Sequence, residues 1–234
     1  MRDAMIPCLW DQPWQRHELV CVASKFWSAT LASKPMLAAI PYLPTWADRG
    51  WPLVVRRRMA DDRPGWVPVG VPLPPSTGKQ RIALAIPTEA VVERWPPPLL
   101  WTIRHAADSA WESTIHALVI LGARHAIAPA AFGSLLWQHQ TGLCYLSSRS
   151  DLDVLWRAHP GCEVGSLLAG VAAIERIAPM RIDGEVVFPD GNAVNWRELY
   201  LALNQDNHAE VLIKSIEGVR LVQVGHLRSR QKAA

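Results

Sequence analysis

The chain has 234 residues, of which half are hydrophobic and 19% charged, with a formal net charge of +3. That length suits one large domain or two small ones, and the composition excludes an intrinsically disordered chain. The mild positive balance admits acidic or phosphorylated partners but gives no basis for a nucleic-acid-coating surface.

Targeting and redox features are equally plain. The longest apolar stretch, 115–122, is interrupted by His116 and is far too short to cross a bilayer. Residues 1–7 lack the apolar run of a signal peptide. Cys8, Cys21, Cys144 and Cys162 are scattered, with no Cys-x-x-Cys pair. A cytoplasmic protein with reduced thiols and no membrane association is expected.

The first part of the chain reads as β-rich. Residues 52–56, 66–70 and 81–86 are short apolar runs bounded by Gly, Pro and charged residues. Arg56-Arg57-Arg58 closes the first of these runs. It suits either the phosphates of an anionic substrate, with Arg57 favoured, or a charged strand edge that discourages pairing. Residues 72–78 form a loop. Ser76-Thr77-Gly78-Lys79 is no Walker motif, because no Gly stands five residues before Gly78 and Gln80 replaces the Ser or Thr that would hold magnesium.

Trp95-Pro96-Pro97-Pro98 breaks any regular element and marks a boundary, giving expected domains over 1–95 and 96–234. Beyond it helices and strands alternate. Ser109-Ala110-Trp111-Glu112 is a capping-box pattern that opens a helix to about Arg124. A short helix is expected from Ser134 to about His139, a strand over 151–156, a helix over 165–178 and a strand over 180–188. Asn195-Trp196-Arg197-Glu198 is a second capping pattern, opening a helix to about Leu203. Two strands then flank the hairpin signal Glu217-Gly218. The expected fold class is α/β (α+β): a mixed-sheet, nucleotidyltransferase-like domain preceded by a smaller β-rich one.

The chemistry-bearing pattern is Gly133-Ser134 followed by Asp151-Leu152-Asp153. A Gly-Ser turn at the start of a helix can hold phosphate on its backbone N–H groups. Side chains two apart on a strand share a face, so Leu152, Val154 and Trp156 take one side, and Asp151 and Asp153 the other. Burying two ionised carboxylates without a counter-charge would cost several kcal/mol each, so this end of the strand meets water or a cation. Magnesium or manganese, as one or two ions about 3.5–4 Å apart, would serve phosphoryl or nucleotidyl transfer. A third carboxylate would come from Asp183 or Glu185 on a neighbouring strand. The bland reading is a solvated or turn-capping Asp-x-Asp pair.

Gly133-Ser134, Thr141-Gly142, Tyr145-Leu146-Ser147 and the run from Ser150 through Trp156 resemble the phosphoribosyl-dephospho-CoA transferase of malonate decarboxylase, its holo-acyl-carrier-protein synthase. Arg181-Ile182-Asp183-Gly184-Glu185 and the residues continuing to Leu199 resemble it too. Arg16-His17-Glu18-Leu19-Val20, 52–57 and 67–70 agree in looser outline. The resemblance implies a magnesium- or manganese-dependent enzyme acting on 2′-(5″-triphosphoribosyl)-3′-dephospho-CoA. Its partner would be the apo acyl carrier protein subunit of malonate decarboxylase, with neither nucleic acid nor membrane involved. It implies Asp151 and Asp153 as the catalytic pair, and Gly133 and Ser134 as the phosphate turn. The site expected is therefore Asp151, Asp153 and Asp183 for metal, and Gly133, Ser134, Arg57 and Arg149 for substrate.

Competing readings are an adenylyltransferase, the analogous transferase serving citrate lyase, and a catalytically idle carrier-binding assembly factor. Arg149 suits either substrate charge or the aspartates themselves. His139 is read as polar surface, Trp137 as a core anchor or an adenine platform, and Trp196 with Arg197 as packing.

Overall fold

Residues 12–205 and 208–227 are described by a computed structural model of the chain; the expectations on residues 1–7 and on Cys8 lie outside the described residues. The tri-proline run falls at the border between two units, Met1–Pro96 and Pro97–Ala234.

In the first unit, β1 (Leu19–Val22), β2 (Leu53–Val55), β3 (Val67–Pro72), β4 (Arg81–Ile86) and β5 (Val91–Trp95) form one sheet in the order β4-β3-β2-β1-β5. Every pairing is antiparallel. The three expected strands are β2, β3 and β4. Val67, Val69 and Val71 recur at period two on β3 and are all buried. Residues 72–78 connect β3 to β4 through a 3-10 turn at Pro75–Thr77, so Ser76-Thr77-Gly78 is a hairpin connection.

Strands β1 and β5 and helices α1 (Ser24–Ala32) and α2 (Pro35–Ala38) were not legible as elements. Helix α1 begins after Ala23, which offers no capping side chain, and no acid stands in its first turn. Strand β5 carries Glu93 and Arg94 where a buried strand would be expected to be apolar. The structure explains Arg94: its guanidinium is buried and grips both oxygens of the equally buried Glu18 at 2.8–3.0 Å. It also donates to the carbonyls of Gln12 and Pro13 and lies over the Trp14 ring. Trp27 and Trp46 are fully buried, yet each indole N–H is satisfied, by the Leu43 and Pro52 carbonyls respectively.

In the second unit, β6 (Ala130–Ala131), β7 (Leu152–Arg157), β8 (Ile182–Val187), β9 (Ala193–Asn195), β10 (Glu210–Lys214) and β11 (Val219–Gln223) form a sheet in the order β11-β10-β9-β8-β7-β6. Only the β7–β8 pair is parallel, so the sheet is mixed and the fold is α/β. Helix α5 (Val164–Glu175) makes the crossover that a parallel pair requires. With α3 (Glu112–Arg124) and α6 (Trp196–Leu203) it buries one sheet face, bringing Ile115, Leu118, Leu168, Val171 and Leu199 together with Leu152, Val154, Trp156, Ile182 and Val186. The alternation expected on β7 is thus observed. On the opposite face Ala130, Leu155, Val187 and Ala193 make a small apolar patch, and the acidic residues stand beside it. Glu217-Gly218 lies in the β10–β11 hairpin, as expected.

One cap is shifted. Asp108, rather than Ser109, accepts from the backbone, through the Ala110 N–H, and residues 109–111 form a 3-10 turn before α3 begins. At α6 the cap is where the pattern puts it: Asn195 Oδ1 accepts from the N–H groups of Arg197 and Glu198. Glu198 does not close the box, however, because its carboxylate takes the Leu212 N–H from β10 at 2.6 Å. Among the described residues Cys21, Cys144 and Cys162 are free thiols. No described helix is long and apolar enough to cross a membrane.

The Glu18–Arg94 pair generates a stability prediction. Arg94→Ala leaves a buried carboxylate without its partner and should lower unfolding free energy by about 3–5 kcal/mol, read from urea denaturation at pH 7. A change below about 1 kcal/mol would mean that water reaches Glu18 and replaces the guanidinium.

Candidate active site

The parallel register of β7 and β8 sets Asp153 opposite Asp183. Neighbouring strands lie about 4.8 Å apart, so the two carboxylates stand side by side on the face that the helices leave uncovered. Each is half-buried. Glu185, the other sequence candidate on β8, is one step further along this face and is nearly fully buried. Its Oε1 accepts from Lys214 Nζ of β10 at 2.9 Å. The charge of Glu185 is thereby balanced within the protein.

On the other side of β7, strand β6 runs into helix α4 (Gly133–Thr141). The Phe132 N–H donates to the Asp153 carbonyl at 3.2 Å, which pins the start of α4 to β7. Gly133 follows with φ +62°, in the left-handed region. A Cβ placed there would lie 1.9 Å from Asp153 Oδ2. Gly133 is therefore required twice, by its backbone angle and by the carboxylate resting against it. The first N–H groups of α4 have no intrahelical acceptor, and Phe132 at the N-cap supplies no capping side chain. A helix start of this kind favours anions. Gly133, Ser134 and Asp153 are thus brought together, with Asp183 adjacent.

Asp151 precedes β7 rather than lying within it, and is half-buried. It leaves a turn in which the Ser150 N–H donates to the Ser147 carbonyl and the Arg149 N–H to Ser147 Oγ. Arg149 is exposed on this turn. Arg57 is exposed in the N-terminal unit, whereas Arg56 is tied to Asp62 and to the Val69 and Leu84 carbonyls.

Residues read in the sequence as capping, packing or nothing at all hold Asp183 and the backbone of Ile182 before it. Asn195 Nδ2 donates to Asp183 Oδ1 at 2.9 Å, and the Gly184 N–H donates to the same oxygen at 2.8 Å. Arg197, at the start of α6, forms a bidentate pair with Glu175 at the end of α5. Together these two grip the peptide of Ile182: Glu175 accepts its N–H, while Arg197 and Trp196 donate to its carbonyl. The hydrogen bond from Arg197 holds the Glu175 carboxyl below its ordinary range. Glu175 in turn raises Arg197, with the charges of Asp183 and Asp151 adding to the effect. The capping pattern signals Asn195, but nothing in its spacing shows that the amide nitrogen reaches back to a strand.

The expected metal trio of Asp151, Asp153 and Asp183 is not assembled as a cage: no three His, Cys, Asp or Glu side chains among the described residues form a ready ligand set. Asp153 and Asp183 fit the need nonetheless. Magnesium is usually held by one or two carboxylates together with substrate phosphates, not by an all-protein shell. His139 is a correction. It is half-buried, meets His105 edge-on at 5.1 Å, and is held below the usual imidazole range first by burial and then by His105. Trp137 is buried, in keeping with an anchor, and Trp196 is fully buried with Arg197 over its ring.

Two predictions follow from this geometry. Gly133→Ala must displace Asp153 as well as strain the backbone, whereas Gly142→Ala (φ +70°, nothing within 4 Å of the new Cβ) strains the backbone alone. Gly142→Ala should cost about 1–2 kcal/mol in urea denaturation and Gly133→Ala clearly more; equal losses would show that the Asp153 contact is yielding. Glu175 stabilises the fold through its lowered pKa, so its contribution is full above its unfolded value near 4.5 and is lost as pH falls through the folded value. The stability gap between wild type and Glu175→Gln should therefore close on acidification; a gap independent of pH would contradict the ion pair.

Residues 99–225 match the model of the phosphoribosyl-dephospho-CoA transferase MdcG C-terminal domain, and residues 15–97 that of the MdcG N-terminal domain. The chain is similar to a phosphoribosyl-dephospho-CoA transferase of Bradyrhizobium diazoefficiens, at 42% identity over 212 residues covering 91% of each chain. It is also similar to a protein of the same name from Xanthomonas axonopodis pv. citri, at 36% identity over 220 residues, covering 94% of this chain and 99% of the relative. No solved structure matches the chain significantly. With both family domains matched in order and a relative 42% identical over most of its length, the chain belongs to the phosphoribosyl-dephospho-CoA transferase MdcG family and is a transferase.

Proposed function

We propose that this enzyme moves phosphoribosyl-dephospho-CoA from 2′-(5″-triphosphoribosyl)-3′-dephospho-CoA to a serine of the apo acyl carrier protein subunit of malonate decarboxylase, in the cytoplasm. The observation that carries this reading is the seating of Gly133, at the start of α4, against Asp153, with Asp183 alongside. A triphosphate needs N–H donors for its leaving end and carboxylates beside its reacting phosphorus, and here the two lie in contact.

In the proposed step the carrier serine oxygen forms a bond to the α-phosphorus, and the P–O bond between the α and β phosphates breaks. Its electron pair departs with pyrophosphate. The serine proton passes to a carboxylate of the Asp151 and Asp153 pair. Gly133 and Ser134 hold the departing phosphates at the open N-terminus of α4. Magnesium or manganese, which Asp153 and Asp183 would hold together with substrate phosphates, with Asp151 contributing from the position before β7, would supply neutralisation of phosphate charge. Arg149 is proposed to bind substrate from the turn before Asp151. The N-terminal unit is proposed to bind substrate or carrier, with Arg57 as its phosphate contact.

The test is incubation of the full chain with magnesium, the triphosphoribosyl donor and the apo carrier, followed by intact mass measurement of the carrier. A mass gain equal to phosphoribosyl-dephospho-CoA is expected, falling at least about a hundredfold in rate for Asp153→Asn and Asp151→Asn. Adenylylation of the carrier from ATP, or transfer only to the carrier of citrate lyase, would replace this reading. An unmodified carrier under all conditions would favour an assembly factor.

A further inference from the structure

The two acidic side chains of β8 are treated in opposite ways. Glu185 is neutralised by Lys214. Asp183 is oriented by a neutral amide and not by a directly bonded cation. Every polar atom of that amide is engaged. Asn195 Oδ1 accepts two N–H groups of α6, which fixes which end of the amide faces the helix, and leaves Nδ2 to face Asp183 Oδ1. The Gly184 N–H also donates to Asp183 Oδ1, so both lone pairs of that oxygen are used. No described group donates to Oδ2, which leaves it as the oxygen open to a ligand.

The backbone beneath is fixed as well. Glu175, Trp196 and Arg197 hold the peptide of Ile182, the residue before Asp183, from both its N–H and its carbonyl. Arg197 differs from Lys214 in making no hydrogen bond to the neighbouring acid of β8: its guanidinium is paired bidentately with Glu175, and the charge of Asp183 acts on it only through space.

We propose that Asn195 is a positioning residue that presents Asp183 Oδ2 to a divalent cation shared with Asp153. This rests on the metal and phosphate reading of the site given above. A carboxylate left to rotate would lose much of its worth as a ligand. One paired with a lysine would have no charge to offer. The amide avoids both, and ties the position of Asp183 to the first turn of α6.

Capping and positioning can be separated by substitution. Asn195→Ser retains an oxygen suited to the helix cap but removes the donor to Asp183. Asn195→Asp also retains the cap and sets a second carboxylate against the first. The experiment titrates the full-length protein with Mn2+ alone, reading free ion by electron paramagnetic resonance, alongside urea denaturation without metal. Both variants should keep a urea midpoint close to wild type and bind Mn2+ about tenfold more weakly or worse, in the range usual for residues that orient a metal ligand. Asp183→Asn and Asp153→Asn should abolish the site. If Asp153→Asn and Asp183→Asn weaken Mn2+ binding while both Asn195 variants stay within twofold of wild type, the role of Asn195 is refuted and the metal reading survives. If wild type shows no Mn2+ site sensitive to Asp153, both fall. A variant whose urea midpoint collapses would show that Asn195 is structural, and would equally overturn the proposal.

Discussion

The rest of the site depends on one close approach, that of the Gly133 backbone to the Asp153 carboxylate. Any side chain at 133 would occupy the space that Asp153 Oδ2 fills. Because the chain can pass there, β6 stays antiparallel to β7, and the Phe132 N–H reaches the Asp153 carbonyl. Helix α4 then begins with its electropositive end at a carboxylate. Such a junction stores opposing demands: an acid at a helix start is stabilised, and that same helix start is wanted by phosphate. In the function proposed above, a cation between carboxylate and phosphate would reconcile the two.

The neighbouring strand adds the second acid by topology. A parallel β7–β8 pair needs a crossover, and α5 provides it while burying Leu167, Leu168 and Val171 on the helix side. The crossover also places Glu175, at the end of α5, where it can take Arg197 and the Ile182 N–H. The ion-paired Glu175 thus ends the crossover helix, and Asp183 lies on the strand to which that helix leads. The division of labour among the acids follows from partners: Glu175 and Glu185 are answered by cations, and Asp183 by an amide.

Much of this was legible in the residues. Alternation along Leu152, Val154 and Trp156 gave the buried face of β7. The cap at Asn195 and the β10–β11 hairpin also followed from local pattern. Other elements were hidden for identifiable reasons. Strand β5 contains Arg94, whose charge reads as solvent-facing until Glu18, distant in sequence, is seen to be buried against it. The cap of α3 moved to Asp108 because a 3-10 turn precedes the helix, a choice that depends on packing of Trp111 in the core.

What the sequence by itself determined is whatever rests on nearest neighbours along the chain. Strand alternation, capping residues and turn signals are all written in short-range spacing. Only the tertiary structure decided which acid meets which partner. Asp183 and Glu185 have the same spacing and the same face, and are equivalent in the sequence. Strand register set Asp183 beside Asp153 and carried Glu185 to Lys214. Coulomb energy and hydrogen bonding depend on distances of a few ångström between residues far apart in the chain, and those distances exist only once the sheet has formed.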